Sequence, residues 1–421
     1  VVLVCGYRFL EKLTPVEKAL SLILPKLGIK VASEVCPILS ALCRVSAETI
    51  RSPMDIPPYN RSAVDGFAVR AEDTFSASQS NPVVLSVKGY MGVCDSPNKY
   101  SLGRFECVEV ATGAPIPQGA NAVVMAEYTK RITNSRVEVY TSVAPLANIS
   151  LKGEDLKRGD IIIRRGEIVR PWHIGLLAAA NIDSIRVYRR LNAIVVGIGD
   201  ELVPLGGRVE QGKIVASTTY MVASYLIERG INVTSIEILP DNYELIRKRI
   251  AEFLEKADMV VTTGGTSVGL KDYTIKAVES LQPEILVHGL AIKPGRPTGL
   301  AVKNGKLVIM LSGYPVAALT GLIALFDKIY CHIYGTKPQP KPKVKGKLTR
   351  RVYIEPGVRG FVRVKVYVEN GEVKVEPLML TGSGILSTLI RGNGILVVPE
   401  DLEGYDEGDI VEVELLSPIV N

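Results

Sequence analysis

A glycine-rich segment that follows a short apolar run constrains this chain more than any other feature. The segment reads DMVVTTGGTSVGLKDY from Asp258 to Tyr273, and its residues 259–262 are apolar or β-branched. Such a run is typical of a strand buried on both faces, and the stretch after Asp272 has helical spacing. The order strand, glycine turn, helix lets backbone N–H groups converge on an anion, usually a phosphate. The segment therefore predicts a turn that binds phosphate or another oxyanion in an α/β crevice.

The spacing of the glycines in this turn does not match a common nucleotide-binding motif. Gly264, Gly265 and Gly269 lack the Cβ atoms that would block close approach of a ligand. Their spacing matches neither G-x-x-x-x-G-K-[ST] nor G-x-G-x-x-G. The turn alone leaves the identity of the anion open.

Length and composition limit the classes of protein. With 421 residues the chain exceeds one ordinary core, so two to four domains are expected. Apolar content of 47% and charged content of 22% are typical of a globular protein and exclude a disordered one. A net charge of +6 is modest for this length, so we expect no nucleic-acid partner.

Targeting features point to the cytoplasm. No apolar run approaches the ~20 residues of a membrane-spanning helix, so no membrane contact is expected. The start of the chain has too short an apolar stretch for a signal peptide. Six cysteines without a C-x-x-C pair indicate neither a disulfide framework nor a zinc site.

The first half of the chain predicts two interleaved domains. Helix-like pieces begin at Thr14-Pro15 and lie around 33–45, and residues 55–142 show short β-runs separated by turn residues. After these β-runs the sequence again shows both strand-like and helix-like segments. We therefore predict a small discontinuous αβ linker domain from residues 1–54 and 143–186, with an inserted β domain at 55–142.

The second half predicts an α/β domain and a second β domain. Residues 187–336 alternate strand and helix, which favours a doubly wound, mostly parallel sheet. Asp241 and Glu244 indicate a capping box for one of its helices. Residues 337–347 are typical of an extended Pro/Lys linker. Short strands resume after it, with Asn370-Gly371 a hairpin turn, so 337–421 is expected to be a C-terminal β-barrel-like domain.

Charged residues cluster at the predicted strand ends of the α/β domain. Because these ends share one crevice, they bring together carboxylates that can hold Mg²⁺ and cations that can hold an oxyanion. The residues are Asp200, Glu201, Asp272, Lys293 and Arg296. Simpler alternatives stay open for each of them. Asp272 can be only a helix N-cap, and the others can be ordinary exposed charges.

Six motifs make the whole chain resemble one family. They are PPYNRSAVDGFAVR (57–70), ATGAPIPQGANAVVMAEY (111–128), LKGEDLKRGDIIIRRG (151–166), TTGGTSVGLKDY (262–273), KPGRP (293–297) and GSGILSTLIRGNGILVVP (382–399). In this order they resemble the molybdopterin molybdenumtransferases, the MoeA proteins and the gephyrin E domain. The resemblance implies four domains and a homodimer whose active site lies between the α/β domain of one subunit and other domains of its partner. The implied activity inserts molybdate or tungstate into adenylylated molybdopterin with Mg²⁺ and releases AMP. A molybdopterin adenylyltransferase is then a candidate partner.

The resemblance also carries site residues onto this chain. Implied catalytic residues are Asp65, Thr112, Asp155, Glu201 and Asp272. Implied substrate-binding residues are Gly264, Gly265, Ser267, Lys293, Pro294, Arg296, Pro297 and Ser383. Asp200, Glu201 and Asp272 are the predicted metal ligands. We expect Gly264 and Gly265 to bind the terminal phosphate of the pterin through backbone N–H groups. A valine at position 265 is expected to block that contact and leave the fold intact.

Three departures from the family pattern fall in the crevice. Ala216 stands where the family usually has aspartate, Tyr314 where it has asparagine, and Ile198 where it has threonine or serine. They leave a second function open, a divergent paralogue that binds molybdopterin or the cofactor without turning it over. A third hypothesis is an unrelated phosphate-binding α/β protein, which the set of six motifs disfavours.

Overall fold

The computed structural model describes residues 2–4, 13–265, 273–378 and 382–419 of the chain. The N-terminal part of the chain, up to Ser62, contributes one α-helix and four short strands. They are β1 (Val2–Val4), α1 (Val16–Ile23), β2 (Ser33–Pro37), β3 (Ile50–Arg51) and β4 (Arg61–Ser62). Helix α1 confirms the helix expected after Thr14-Pro15, and it buries Val16, Ala19, Leu20 and Ile23 on one face.

The middle of the first half is a six-stranded sheet, as the run of short β-segments predicted. Its strands are β5 (Gly66–Val69), β6 (Val83–Met91), β7 (Glu106–Val110), β8 (Ala122–Met125), β9 (Thr129–Thr133) and β10 (Arg136–Val139). They lie in the order β8-β5-β7-β6-β10-β9. Leu85, Cys107 and Val137 are fully buried in its core.

The chain then returns to the N-terminal segment. Elements β11 (Ile149–Ser150), β12 (Ile161–Ile163), α2 (Pro171–Ala179) and β13 (Ser184–Tyr188) follow the sheet. Strands β11, β12 and β13 pair antiparallel with β4, β3 and β2. The segments on the two sides of the six-stranded sheet thus pair with each other. The bounds proposed for the four domains stay predictions.

The helix predicted around 33–45 is wrong. Residues Ser33–Pro37 form strand β2, and a single 3₁₀ turn, Ile38–Ala41, follows it. Pro37 has no N–H and would break a helix at this point. The backbone partners of β2 come from β13, about 150 residues further along the chain, so local sequence could not reveal them.

The α/β unit supplies most of the remaining elements. They are β14 (Asn192–Ile198), β15 (Leu202–Val203), β16 (Ile214–Val215), α3 (Ser217–Glu228), β17 (Asn232–Leu239), α4 (Tyr243–Lys256), β18 (Met259–Thr263), α5 (Tyr273–Ser280), β19 (Ile285–His288), β20 (Ile292–Lys293), β21 (Gly299–Lys303), β22 (Lys306–Leu311) and α6 (Pro315–Tyr334). Seven strands form one sheet in the order β1-β19-β21-β22-β18-β14-β17. Its β1–β19, β22–β18, β18–β14 and β14–β17 pairs are parallel, while β21 runs antiparallel to both neighbours.

Helices cover both faces of this sheet, which confirms the doubly wound, mostly parallel architecture. On one face, α1, α3 and α6 pack against residues such as Val195 and Val261. On the other, α4 and α5 pack against Ile194, Val196 and Val260. Successive strand residues point to opposite faces, so a strand covered on both sides is apolar along its whole length.

The C-terminal segment forms a closed barrel. Its elements are β23 (Lys343–Leu348), β24 (Val352–Tyr353), β25 (Arg359–Glu369), β26 (Glu372–Pro377), α7 (Ser387–Arg391), β27 (Gly394–Val398), β28 (Gly404–Tyr405) and β29 (Ile410–Leu415). Strands β25-β26-β23-β29-β27 close because β27 also pairs with β25. Asn370 and Gly371, both at positive φ, make the predicted hairpin turn. The predicted linker at 337–347 is too long, since Lys343 already belongs to β23.

Within the described ranges, one helix, α6, is long and apolar enough to cross a membrane when only length and composition are considered, contrary to the expectation that no segment approaches that length. Within its most apolar window, 56% of the residues are buried. Leu322, Leu325 and Phe326 pack in the core beside the sheet. These contacts describe a core helix of the α/β unit.

Candidate functional site

A cleft of about 800 Å³ lies at the carboxyl ends of the parallel strands. The register sets Gly197, Thr263 and Leu311 side by side on β14, β18 and β22. The turns that follow these strands therefore open at one edge of the sheet. This is where open α/β sheets bind ligands, and the volume suits a small molecule or cofactor.

The cleft walls come from three parts of the chain. Strand-end turns form one wall, the first residues of α3 and α6 form another, and the barrel segment before α7 closes the rim. Lining residues include Ile198, Glu201, Ala216, Thr218, Asp241, Gly264, Gly265, Pro297, Tyr314, Gly384 and Leu386. Of the predicted site residues, the structure thus brings Glu201, Gly264, Gly265 and Pro297 together.

The glycine turn after β18 requires both of its described glycines. Gly264 and Gly265 have φ of 88° and 63°, where a side chain is strained. A Cβ on Gly264 would lie 2.3 Å from the Ile198 carbonyl oxygen, and one on Gly265 would lie 2.2 Å from Thr274 Oγ1. The Gly264 N–H already donates to the Leu311 carbonyl over 3.0 Å. The predicted phosphate contact is therefore left to the N–H of Gly265.

Buried hydroxyl groups hold the start of α3 against the sheet. Thr219 Oγ1 and Thr263 Oγ1 lie 2.8 Å apart, which ties α3 to the end of β18. Thr218 Oγ1 donates to the Gly313 carbonyl over 2.7 Å, which ties α3 to the turn after β22. These bonds fix two walls of the cleft relative to each other.

Among the residues that the structure describes, two carboxylates line the cleft, those of Glu201 and Asp241. Glu201 folds back over Gly199, where a Cβ would lie 2.5 Å from Glu201 Oε2. Asp241 follows β17 and lines the same cleft. Asp200, a predicted metal ligand, instead accepts the Asp241 backbone N–H on its Oδ1 over 3.0 Å. Within the described ranges no group of three Asp, Glu, His or Cys side chains is arranged to hold a metal ion.

Asp241 is a charged cleft residue that the sequence did not assign to the site. The capping box assigned to Asp241 and Glu244 is wrong, because the N-cap of α4 is Asn242, whose Oδ1 accepts the Leu245 N–H over 2.9 Å. The position of Asp241 just beyond a strand of the parallel sheet was the available signal, since such ends form the crevice.

The three departures from the family pattern all border the cleft. Ala216 is the N-cap residue of α3, only 2% exposed, and has no side-chain group to cap the helix. Ile198 is also 2% exposed, and its Cγ2 packs beneath Gly265. Tyr314 precedes α6 and is 62% exposed.

The cation-rich turn at 293–297 is held between the sheet and the barrel. Lys293 belongs to β20, which pairs with β25 of the barrel. Arg296 forms an ion pair with Glu355 of the barrel. Among the described residues, Pro297 is the member of this turn that lines the cleft, while Lys293 and Pro294 are half-buried beside it. The predicted oxyanion role of Lys293, Pro294 and Arg296 stays a prediction.

A buried histidine supports the same turn. His288, at the end of β19, is 8% exposed, and its ring donates a hydrogen bond to the Pro297 carbonyl. Burial lowers the pKa of His288 to about 4, and it outweighs this hydrogen bond, which acts in the opposite direction. The ring is therefore neutral at physiological pH.

Three of the predicted residues, Asp65, Thr112 and Asp155, do not line this cleft. The Thr112 N–H donates to Asp65 Oδ1 over 2.8 Å, and both residues are exposed on the six-stranded sheet. Asp155 is exposed in the loop before β12, where its N–H donates to the Ile56 carbonyl. The Ser383 carbonyl accepts the Val316 N–H over 3.0 Å, next to Gly384 in the cleft rim. Ser267 and Asp272 lie outside the described residues.

Comparison with known families gives the class of protein. Residues 14–181 match the MoeA N-terminal region (domain I and II), and residues 345–416 match the MoeA C-terminal region (domain IV). Residues 194–329 match a family described as a probable molybdopterin binding domain. The chain belongs to the MoeA family.

Individual relatives match along nearly the whole chain. A molybdopterin biosynthesis protein of Methanocaldococcus jannaschii is 37% identical over 423 residues, which cover 97% of this chain and 100% of the relative. A molybdopterin molybdenumtransferase of Staphylococcus epidermidis is 31% identical and covers 96% of each chain. The crystal structure of a MoeA protein from Pyrococcus horikoshii superposes with a TM-score of 0.81 at 34% identity, over 96% of this chain and 100% of that one.

Proposed function

We propose that this protein inserts molybdate or tungstate into adenylylated molybdopterin and releases AMP. Membership of the MoeA family gives it a role in molybdenum cofactor biosynthesis as a transferase. The observation that carries the proposal is the cleft itself, where Glu201, Asp241, the glycine turn and Pro297 converge at the carboxyl ends of the parallel strands.

Different groups of this chain are proposed to bind different parts of the substrates. The Gly265 N–H, at a turn that admits no side chain, is proposed to hold the terminal phosphate of the pterin. Lys293 and Arg296 are proposed to hold the oxyanion, since a tetrahedral dianion needs cations and N–H donors. Ser383, Ser267 and Asp272 retain the substrate or catalytic roles that the family pattern implies.

Magnesium fits the acidic part of the cleft. Mg²⁺ in proteins usually uses one or two carboxylates plus water and substrate phosphate, and Glu201 and Asp241 supply that number. Asp272 is the third proposed ligand. When bound there, Mg²⁺ would polarise the phosphoanhydride that is cleaved. Asp200 is proposed not to bind the metal itself but to orient the turn that carries Asp241, through its hydrogen bond with the Asp241 N–H.

We further propose a homodimer in which Asp65, Thr112 and Asp155 of one subunit face the cleft of the other. In support, these residues are exposed, and they do not line the cleft of their own chain where the structure describes it. We propose the cytoplasm as the compartment, supported by the free thiols of the five described cysteines. A molybdopterin adenylyltransferase is the proposed supplier of the substrate.

A second candidate is a paralogue that binds molybdopterin without turnover. Ala216 favours it, because a carboxylate at this cleft position would add a ligand for a metal, and this chain has none there. Asp65, Asp155 and Asp272, which match the family pattern, favour the enzyme.

One experiment tests turnover. The protein is mixed with adenylylated molybdopterin, Mg²⁺ and either molybdate or tungstate, and AMP release is followed. We expect AMP release that depends on the oxyanion and is lost in Glu201→Gln. Binding of molybdopterin with no AMP release would select the paralogue.

A complementation experiment tests the shared site. Asp65→Asn and Glu201→Gln are each expected to be inactive. Co-expressed, they form heterodimers with one intact site, so activity should return to about a quarter of wild type in a two-fold symmetric dimer. No recovery from a mixed dimer would place both residues in a site made by one chain.

A further inference from the structure

We propose that the ring of Tyr314 is a platform on which a flat heteroaromatic ring of the substrate stacks inside the cleft. The inference rests on the proposed function, because adenylylated molybdopterin carries two such rings, a pterin and an adenine. The proposal gives the cleft an aromatic stacking surface, which neither the carboxylates nor the glycine turn provide.

The backbone that carries the ring is held on both sides. The Tyr314 N–H donates to Ser312 Oγ over 3.2 Å, and the preceding carbonyl, of Gly313, accepts the Thr218 hydroxyl over 2.7 Å. Pro315 follows as the first residue of α6. The Cα of Tyr314 is therefore fixed relative to α3 and the sheet.

Part of the ring is also packed against the barrel. A Cβ on Gly384 would lie 3.1 Å from Tyr314 Cδ1 and 3.4 Å from Cε1, so the ring rests against the backbone of that residue. A side chain at position 384 would have to displace it. Glycine at this position thus lets the barrel support the ring.

The remainder of the ring is open to the cleft. Tyr314 lines the cleft and yet is 62% exposed, so most of its surface is available to a ligand. Its described neighbours on the cleft wall, such as Ser217 and Thr218, offer hydroxyls rather than another aromatic face. Aromatic rings bind flat bases by stacking, and loss of the platform weakens such binding by roughly five- to 150-fold.

The experiment measures ligand affinities by calorimetry for the wild type, Tyr314→Phe and Tyr314→Ala. The probes are AMP, which carries adenine, free molybdopterin, which carries the pterin, and ribose 5-phosphate, which has a phosphate and no aromatic ring. Tyr353→Ala is the matched control, because Tyr353 is 54% exposed on β24 of the C-terminal segment and is not a lining residue of this cleft.

We expect Tyr314→Ala to weaken binding of AMP or of molybdopterin by roughly five- to 150-fold. The probe that loses affinity identifies the stacked ring. Tyr314→Phe should stay close to wild type, and neither ribose 5-phosphate affinity nor the Tyr353→Ala variant should show a loss. Weakening of ribose 5-phosphate to the same extent would overturn the proposal, since the effect would be structural.

The stacking proposal would also be overturned if Tyr314→Ala bound AMP and molybdopterin as tightly as the wild type does. It would equally be overturned if the wild type bound neither compound. AMP release by the wild type is measured separately. A protein that turns over while Tyr314→Ala binds normally would refute stacking and leave the proposed function standing.

Discussion

The backbone N–H of Asp241 donates to Oδ1 of Asp200 over 3.0 Å and so joins the turn after β17 to the turn after β14. In return, the Asp200 N–H lies 3.5 Å from Asp241 Oδ2. The two contacts are reciprocal, yet of the two aspartates it is Asp241 that lines the cleft, together with Glu201. Asp200 joins the two turns without lining the cleft.

This difference predicts unequal effects of neutralising the two aspartates. Asp241→Asn should raise the Mg²⁺ concentration needed for half-maximal AMP release on the order of tenfold or more, because Mg²⁺ sites use only one or two carboxylates. Asp200→Asn should change it little, since an amide Oδ1 still accepts the Asp241 N–H. The measurement is AMP release against Mg²⁺ concentration, and a reversed ranking would contradict the assignment.

The empty N-cap of α3 predicts a gain in stability. In the presence of Mg²⁺, which offsets repulsion from Glu201 and Asp241, Ala216→Asp should raise the free energy of unfolding by about 1 kcal/mol, because an N-cap carboxylate accepts an N–H of the first turn. The same substitution adds a charge beside Glu201 and Asp241, so the Mg²⁺ requirement for AMP release should fall.

A serine at this position separates the two effects. Ala216→Ser also caps the helix but brings no charge. Equal Mg²⁺ requirements in the serine and aspartate variants would show that the position has only a structural role. AMP release that appears with aspartate alone, from an inactive wild type, would favour the binding paralogue.

The glycine turn predicts a loss of stability on substitution. The expectation that Gly265→Val leaves the fold intact stays a prediction, and the structure adds a cost to it, because a Cβ there would lie 2.2 Å from Thr274 Oγ1. Even Gly265→Ala should therefore lower the free energy of unfolding by more than the roughly 1–2 kcal/mol that positive φ alone costs. Chemical denaturation measures this change.

Gly206 is the matched control. It has φ of 80°, and a Cβ there would meet nothing within 4 Å, so Gly206→Ala measures only the strain of the backbone. Removing the opposing oxygen in Gly265→Ala/Thr274→Ala should recover part of the excess. Equal destabilisation by the two single alanine variants would refute the steric cause.

His288 predicts a pH dependence of stability. Its pKa is about 4 in the fold and near 6.5 when unfolded, so between these values the unfolded chain binds a proton that the folded chain does not. The contribution is fully present above pH 6.5 and is lost as the pH falls. Between pH 7 and 5 the free energy of unfolding should fall by about 2 kcal/mol from this group.

Ring NMR can follow this group directly, since the chain has three histidines. The His288 signal should stay that of a neutral ring down to about pH 4. In His288→Asn, which keeps a donor for the Pro297 carbonyl, the slope of stability between pH 7 and 5 should be smaller. A His288 signal that titrates near pH 6.5 would contradict the prediction.

Local sequence was sufficient for features that depend on neighbouring residues. The apolar run before Gly264 predicted the central strand β18, and the alternation after residue 187 predicted a sheet covered on both faces. Asn370-Gly371 predicted its hairpin because both residues tolerate positive φ. Glu201, Gly264, Gly265 and Pro297 could be assigned to one crevice, since parallel strands end at a common edge.

Tertiary structure alone decided what depends on distant partners. Strand β2 forms because β13 supplies its hydrogen bonds, and Asp241 enters the cleft because the parallel pair β14–β17 places it beside Asp200. Gly384 reaches Tyr314 only because the barrel packs against the turn before α6. Such contacts join residues tens to hundreds of positions apart, and only packing of the whole chain determines which of them form. The sequence by itself thus determined the elements and the edge at which ligands bind, and the fold decided which side chains meet there.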